Sequence, residues 1–273
     1  MKFSDLDIRR MYDSVRSDLY TDFFSPVLSA STECKRVGGT FTSKTFLKIA
    51  TGMKDFIEKD GQLQLVLLPN FTKEDLNAIN TGLKNEEDVL LENWIKEYEQ
   101  IESEFVKNHT KALAWLLKMK LLVIKIVRIK DLQGNVVRFQ DLESILKETE
   151  SETKSQLNQQ KENIEKIRKL RQKIGIFRGE GKDEFITFRG NLDYEAEGSD
   201  YGHIEVSRYW ESDDERDECD KDGEEFEKFW NDEEEFEYIP NYKFQSVLLP
   251  DALKQNLVQV APESKSEINL ARP

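Results

Sequence analysis

Histidine and cysteine are almost absent from this chain. Its 273 residues include two histidines, His109 and His203, and two cysteines, Cys34 and Cys219. Two isolated thiols build neither a disulfide framework nor a paired-cysteine metal pattern, and two distant imidazoles exclude a His-rich metal site. No apolar run approaches the ~20 residues that a membrane-spanning helix needs, and the N-terminal segment lacks the apolar core of a signal peptide. The expectation is a cytoplasmic protein with no membrane partner. The chain also lacks a Gly-x-x-x-x-Gly-Lys-Ser/Thr loop, which excludes a P-loop motor within it. No sequence feature calls for a cofactor.

What is present is charge, unevenly placed. The formal net charge is −14. Glu211 to Glu237 holds 16 acidic and 3 basic residues, or −13 of that total. Between Phe105 and Lys130 lie seven basic residues and no acid, and Lys161 to Lys173 adds six basic residues against two glutamates. A basic middle and an acidic flank are thus hidden in the average. A basic run of this kind either tracks a phosphodiester backbone, which would assign Lys107, Lys111, Lys118 and Lys120 to nucleic acid, or is a helix face whose lysine stems cover apolar surface.

Periodicity gives the elements. Met11, Val15, Leu19, Phe23 and Phe24 recur at helical spacing within Asp5 to Ser29, with Pro26 bending the pattern. Strands are expected at Glu33–Phe41, Gln62–Leu68, Leu122–Ile129, Lys173–Phe177, Glu184–Phe188 and His203–Tyr209. Helices are expected at Lys44–Glu58, from Thr72 as N-cap, and across Asp88 to Met119 as one long or two consecutive helices. Gln133-Gly134-Asn135 closes a strand, and Gly179-Glu180-Gly181-Lys182 is a hairpin turn. Alternation of strand and helix predicts an α/β fold with a mixed, mostly parallel sheet flanked by helices. Residues 1–140 and 171–262 form the two parts of one domain, 141–170 is an exposed helical insertion, and 263–273 is a tail or linker. Asp213 to Glu225 reads as a solvated acidic loop anchored at its end by a short helix carrying Phe226, Phe229 and Trp230.

One stretch carries chemistry. Arg171-Gln172-Lys173-Ile174-Gly175-Ile176-Phe177, followed by Gly190-Asn191-Leu192-Asp193, resembles the half-site of the phospholipase D superfamily. There a strand bears His-x-Lys and Gly-x-Phe, with Gly-Ser-x-Asn further on. The N-terminal half adds Asp22-Phe23-Phe24-Ser25-Pro26 and Glu33-Cys34-Lys35-Arg36-Val37-Gly38-Gly39-Thr40-Phe41-Thr42-Ser43. These are similar to the opening of phospholipase D-like domains that precede DEAD/DEAH-type helicases in prokaryotic restriction and anti-phage systems. The resemblance runs from about Leu19 to Pro262. It implies a phosphate held by Lys173, a homodimer that pairs two half-sites, and DNA or a helicase or nuclease subunit as partner. Arg171 stands where the attacking histidine belongs, and a guanidinium stays protonated with no lone pair to offer. Asn191 and Asp193 replace the Ser and Asn. The motif therefore implies phosphate binding by Lys173 and Arg171 without turnover.

Other readings stand beside this one. Lys173 is either a phosphate ligand or a surface lysine at a strand end. His203 is either a half-buried structural histidine or, like His109, a substitute nucleophile in an active metal-independent nuclease. A third reading is a protein-interaction subunit that docks through its acidic segment and insertion without touching DNA.

Overall fold

The computed structural model describes residues 2–40, 53–100, 104–148, 173–192, 201–231 and 241–268, with positions 155, 156, 158, 160 and 161 between them. The strands are β1 (Met11–Asp13), β2 (Glu33–Thr40), β3 (Gln62–Leu68), β4 (Leu122–Asp131), β5 (Lys173–Arg178), β6 (Phe185–Gly190), β7 (His203–Arg208) and β8 (Tyr242–Leu248). They form one eight-stranded sheet in the order β1-β7-β6-β5-β2-β3-β4-β8. The described helices are α1 (Ser25–Ala30), α2 (Met53–Glu58), α3 (Lys73–Asn80), α4 (Glu86–Glu99), α5 (Glu104–Lys118), α6 (Phe139–Glu148), α7 (Asp213–Asn231) and α8 (Asp251–Gln259).

Only β2, β3 and β4 run parallel. The other five pairings are antiparallel, so the sheet is mixed but not mostly parallel as the helix–strand alternation suggests. The reason is in the connections. A parallel pair needs a crossover of a dozen or more residues, whereas β5 and β6 are joined by the tight turn between Arg178 and Phe185, which permits only antiparallel pairing.

Helices cover both faces, which is why β3 is apolar in both directions. Leu63, Leu65 and Leu67 point into a core shared with α1, α2, α4, α5 and α8, while Val66 points into a second core with α6 and α7. Phe23 and Phe24 meet Phe177 and Phe188 in the first core at centroid distances of 5.5 to 6.1 Å, mostly edge to face. Leu142, Cys219, Phe226 and Phe229 fill the second.

Several local expectations are met for the reason given. Thr72 Oγ1 accepts from Asp75 N at 3.1 Å and Asp75 Oδ2 accepts from Thr72 N at 2.9 Å, a reciprocal box that opens α3. Gly134 takes φ +86° in the turn after β4. Of the two readings of Asp88–Met119, the second holds among the described residues, with α4 and α5 as consecutive helices.

Other expectations are corrected. Asp5 to Ser29 is not a continuous helix. Met11 and Val15 are exposed at 55% and 79%, so their helical spacing marks no core face. Met11–Asp13 instead pairs with β7, and Asp18 Oδ1 accepts from the backbone of Tyr20 and Thr21 to start a π-helical turn that runs into α1. Asp213 to Glu225, expected as a solvated loop, lies within the helix Asp213–Asn231. Ser212 Oγ accepts from Glu215 N at 3.2 Å, and three acidic residues in the first turn suit the positive end of the helix dipole. Within the expected 263–273 tail, Lys265 is tied to the domain, its Nζ donating to Glu58 O at 3.1 Å and pairing with Asp60 at 3.0 Å, and 269–273 lie outside the described residues. Strand β8 and helix α8 carry no clear sequence signal. Most of the insertion, and the expected start of α2 at Lys44 with its Thr42-Ser43 cap, lie outside the described residues.

Candidate functional site

Strand alternation decides which residues of β5 share a face. Phe177 belongs to the first core and Ile174 and Ile176 to the second, so Lys173 and Gly175 project toward the first. On β2 the same rule places Cys34, Arg36 and Gly38 on that side. Lys173 lies level with Gly190 of β6, and beside Gly38 of β2.

Gly38 makes room for a long cation. A Cβ on Gly38 would lie 2.2 Å from Lys173 Cγ, so the lysine stem crosses the space that any other residue's side chain would fill. Gly38 also takes φ +114°, a conformation that glycine adopts freely. The register of β2 against β3 slips between Val37 and Thr40 at this point. Gly190 serves a different contact, since a Cβ there would lie 2.1 Å from the His203 carbonyl oxygen, so its missing side chain lets the backbones of β6 and β7 approach. Lys173 therefore runs through the space left by Gly38 and ends with Nζ donating to Asn191 Oδ1 at 3.2 Å. It is 6% exposed, which removes the reading of Lys173 as a surface lysine.

Arg36 completes the constellation. It is the bulkiest fully buried side chain, at 0% exposure, with its guanidinium carbon 5.9 Å from the Phe24 ring centroid. Its Cα lies opposite Gly175, one diagonal step from Lys173. Two buried cations thus occupy one face of the sheet on adjacent strands, with Asn191 beside them. An arrangement of this kind suits an oxyanion, because ammonium and guanidinium donors form the strongest hydrogen bonds to phosphate oxygens.

The other predicted residues fall differently. Arg171 and Asp193 lie outside the described residues. His203 opens β7, where Ile204 is the residue facing the first core, so alternation turns His203 to the opposite side of the sheet from Lys173. Its carbonyl accepts from Asn191 N at 2.8 Å and its ring stacks near Tyr201. His109 lies on α5, and its side chain is outside what is described. Lys107 and Lys111 are half-buried on α5, while Lys118, its last residue, and Lys120, just beyond it, are exposed. Lys118 Nζ donates to the Pro262 carbonyl at 3.3 Å. From Lys107 to Lys118 is ~16 Å along a helix, so these lysines are spread along it and form no compact patch among themselves. The rest of that basic run is internally engaged. Arg128 and Lys130 pair with Glu86 at 2.9 and 3.2 Å, and Lys125 packs over Trp230.

Arg36 is the residue that sequence reasoning passed over. Its signal was available, namely a lone guanidinium in the middle of a strand directly before Val37-Gly38-Gly39.

A cleft of about 570 Å³ opens between α7 and the opposite face of β5 and β6. It does not converge on the Lys173 group. Phe185 forms its floor under the Arg178 guanidinium at 3.8 Å, and Lys35 is neutralised by Glu227 at 2.9 Å. Among the described residues, no group of three His, Cys, Asp or Glu could hold a metal ion, and no helix is long and apolar enough to cross a membrane.

The acidic helix spends part of its charge inward. Asp222 and Glu225 clamp Arg189 of β6, the latter at 2.6 Å, and Glu215 pairs with Arg208 of β7 at 3.3 Å. Asp213, Asp214, Asp217, Glu218, Asp220 and Glu224 face solvent. Both thiols are buried, and burial pushes each up to about 12.

Comparison of the chain with protein-family models, curated proteins and solved structures gives no match.

Proposed function

We propose that this chain is a phosphate-binding module of the phospholipase D-like kind that has lost turnover. In this reading it engages DNA, or a helicase or nuclease subunit working on DNA, in a prokaryotic restriction or anti-phage system. The observation that carries it is the buried Lys173 side chain, whose stem runs through the space that Gly38 leaves open and whose Nζ lies 3.2 Å from Asn191. Lys173 and Asn191 are residues of the two sequence segments that resemble the superfamily half-site, and they meet although 18 positions separate them. Loss of turnover follows from Arg171 in place of the nucleophile, and His203, turned to the other face, offers no substitute. A single half-site favours a homodimer, which light scattering at micromolar concentration tests; a monomer would remove that part of the reading.

The experiment is binding and cleavage of labelled single- and double-stranded DNA in EDTA, comparing wild type with Lys173→Ala. Retention of DNA without cleavage, weakened by the substitution, supports the proposal. Cleavage that Lys173→Ala abolishes replaces it with an active metal-independent phosphodiesterase. Binding of neither form of DNA leaves the acidic face of α7 as the favoured surface, and with it a protein-interaction subunit.

A further inference from the structure

Gly223 stands in the interior of α7, where glycine weakens a helix more than any residue except proline. No described neighbour calls for it. Its φ lies outside the left-handed region, and a Cβ built there would meet only Phe185 Cζ, at 3.9 Å, an ordinary contact. What the missing side chain does is open the cleft of about 570 Å³ that α7 forms with β2, β5 and β6. The helix rests on the sheet through Glu215, Cys219, Asp222, Phe226 and Phe229, which are buried. Its neighbouring stripe, Asp220, Gly223, Glu224 and Glu227, overhangs the cleft instead.

The charge left over in the cleft is negative. Of its cations, Lys35 is neutralised by Glu227 at 2.9 Å, Arg178 lies over the Phe185 ring and 3.6 Å from Glu33, and Lys228 is engaged as well. Asp220 and Glu224 are exposed and form no ion pair among the described residues. They stand one turn apart, a spacing that sets Cβ atoms ~5–6 Å from each other, with the gap of Gly223 between them. Asp217, likewise exposed, continues the row one turn beyond the cleft. From Asp217 to Glu224 is ~10 Å along the helix, the length of about three extended residues.

We infer that this cleft is the docking site for an extended, arginine-bearing segment of a partner protein, with one guanidinium seated over Gly223 between the Asp220 and Glu224 carboxylates. A guanidinium presents its donors in a fork and can bridge two carboxylates, where an ammonium is a point charge. Side chains at alternate positions of an extended segment recur every ~6.6 Å on one side, so a second arginine reaches Asp217. The same acids repel a phosphate backbone. The inference therefore concerns a different surface from Lys173 and does not rest on the reading of Lys173 as a phosphate ligand.

The test uses the full chain at physiological salt and a short fluorescent peptide of alternating arginine and alanine, with a peptide of alternating glutamine and alanine as control. The arginine peptide binds and the glutamine peptide does not. Asp220→Asn combined with Glu224→Gln weakens that binding about tenfold or more, and so does Gly223→Leu by itself. Gly223→Leu fills the cleft without changing its charge, and it melts at or above the wild-type temperature because it removes glycine from a helix interior. Asp214→Asn combined with Glu218→Gln removes two exposed acids at the same spacing outside the cleft. That control pair keeps the affinity within about twofold of wild type. Lys173→Met leaves peptide binding unchanged.

Equal losses in the cleft pair and the control pair overturn the inference, since the attraction is then to the net charge of the helix. Wild-type affinity in a folded Gly223→Leu overturns it too, as does an arginine peptide that does not bind. Should Gly223→Leu fail to fold, the comparison of the two charge-removing pairs decides. Because Lys173→Met is silent here and weakens DNA retention in the earlier experiment, failure of either reading leaves the other standing.

Discussion

The stem of Lys173 occupies the place where Gly38 would carry a side chain, 2.2 Å separating the lysine Cγ from that missing Cβ. Gly38→Ala must therefore displace the lysine or distort β2, and at φ +114° it also strains the backbone. The substitution should destabilise the fold by about 1–3 kcal/mol. It should also abolish Lys173-dependent phosphate binding. Denaturant melts and a phosphate titration of the variant check both. An unchanged midpoint with intact binding would mean that the stem takes another route.

Removing Arg189 should cost far more than removing a surface cation. Its partner Asp222 is 2% exposed, and truncating one member of a buried pair leaves the other charge without compensation, at about 3–5 kcal/mol. Because Arg189 is partly exposed, the lower end is expected for Arg189→Ala. Arg189→Ala with Asp222→Asn should recover part of that loss in a double-mutant cycle by urea denaturation. Independent, additive losses would show that the clamp does not hold α7 on the sheet.

The two thiols should be inert in the native protein. Burial raises both to about 12, so almost no thiolate exists at neutral pH. Iodoacetamide at pH 8 should label neither Cys34 nor Cys219 until denaturant is added, as read by mass spectrometry. Labelling of Cys219 alone would report local opening of α7 from the sheet.

The start of α3 gives a pH dependence of definite sign. Partial burial pushes the Asp75 carboxyl up, but hydrogen bonds from Thr72 and Asn93 outweigh this and hold it below its ordinary value of 3.8. A depressed folded-state pKa means that the stabilisation is present above the unfolded value and lost as pH falls through the folded one. Asp75→Asn should thus lower stability near neutral pH, with the difference from wild type closing in acid below the ordinary carboxylate range. Thr72→Ala removes the other half of the box and should cost about 1 kcal/mol. A constant difference between wild type and Asp75→Asn from pH 7 to 2 would contradict this account.

The reach of sequence reading tracks how local the physics is. Strand β3 was legible end to end because a central strand covered on both faces must be apolar in each direction. The opening of α3 was legible because Thr72 and Asp75 make their bonds within one turn. The N-terminal segment was misread because Met11 and Val15 satisfy a helical period without burying anything, and only the open edge of β7 shows why the backbone there extends. The acidic segment was misread in the other direction. Its charge suggests a solvated loop, whereas Arg208 on the preceding strand and Arg189, 33 positions from its partner Asp222, hold it against the sheet as a helix.

The candidate site divides along the same line. Sequence alone determined that Lys173 sits at the start of a strand, that a Gly-Asn pair follows one hairpin later, and that an arginine stands two positions before the lysine. Those are facts of order and residue type. The tertiary structure decided that Lys173 is buried, that His203 faces away from it, and that Arg36 shares its side of the sheet. Facing and burial depend on which strand lies beside which. The pairing of β2 with β5, 137 positions apart at Arg36 and Lys173, is set by long-range packing and not by any local preference of either strand.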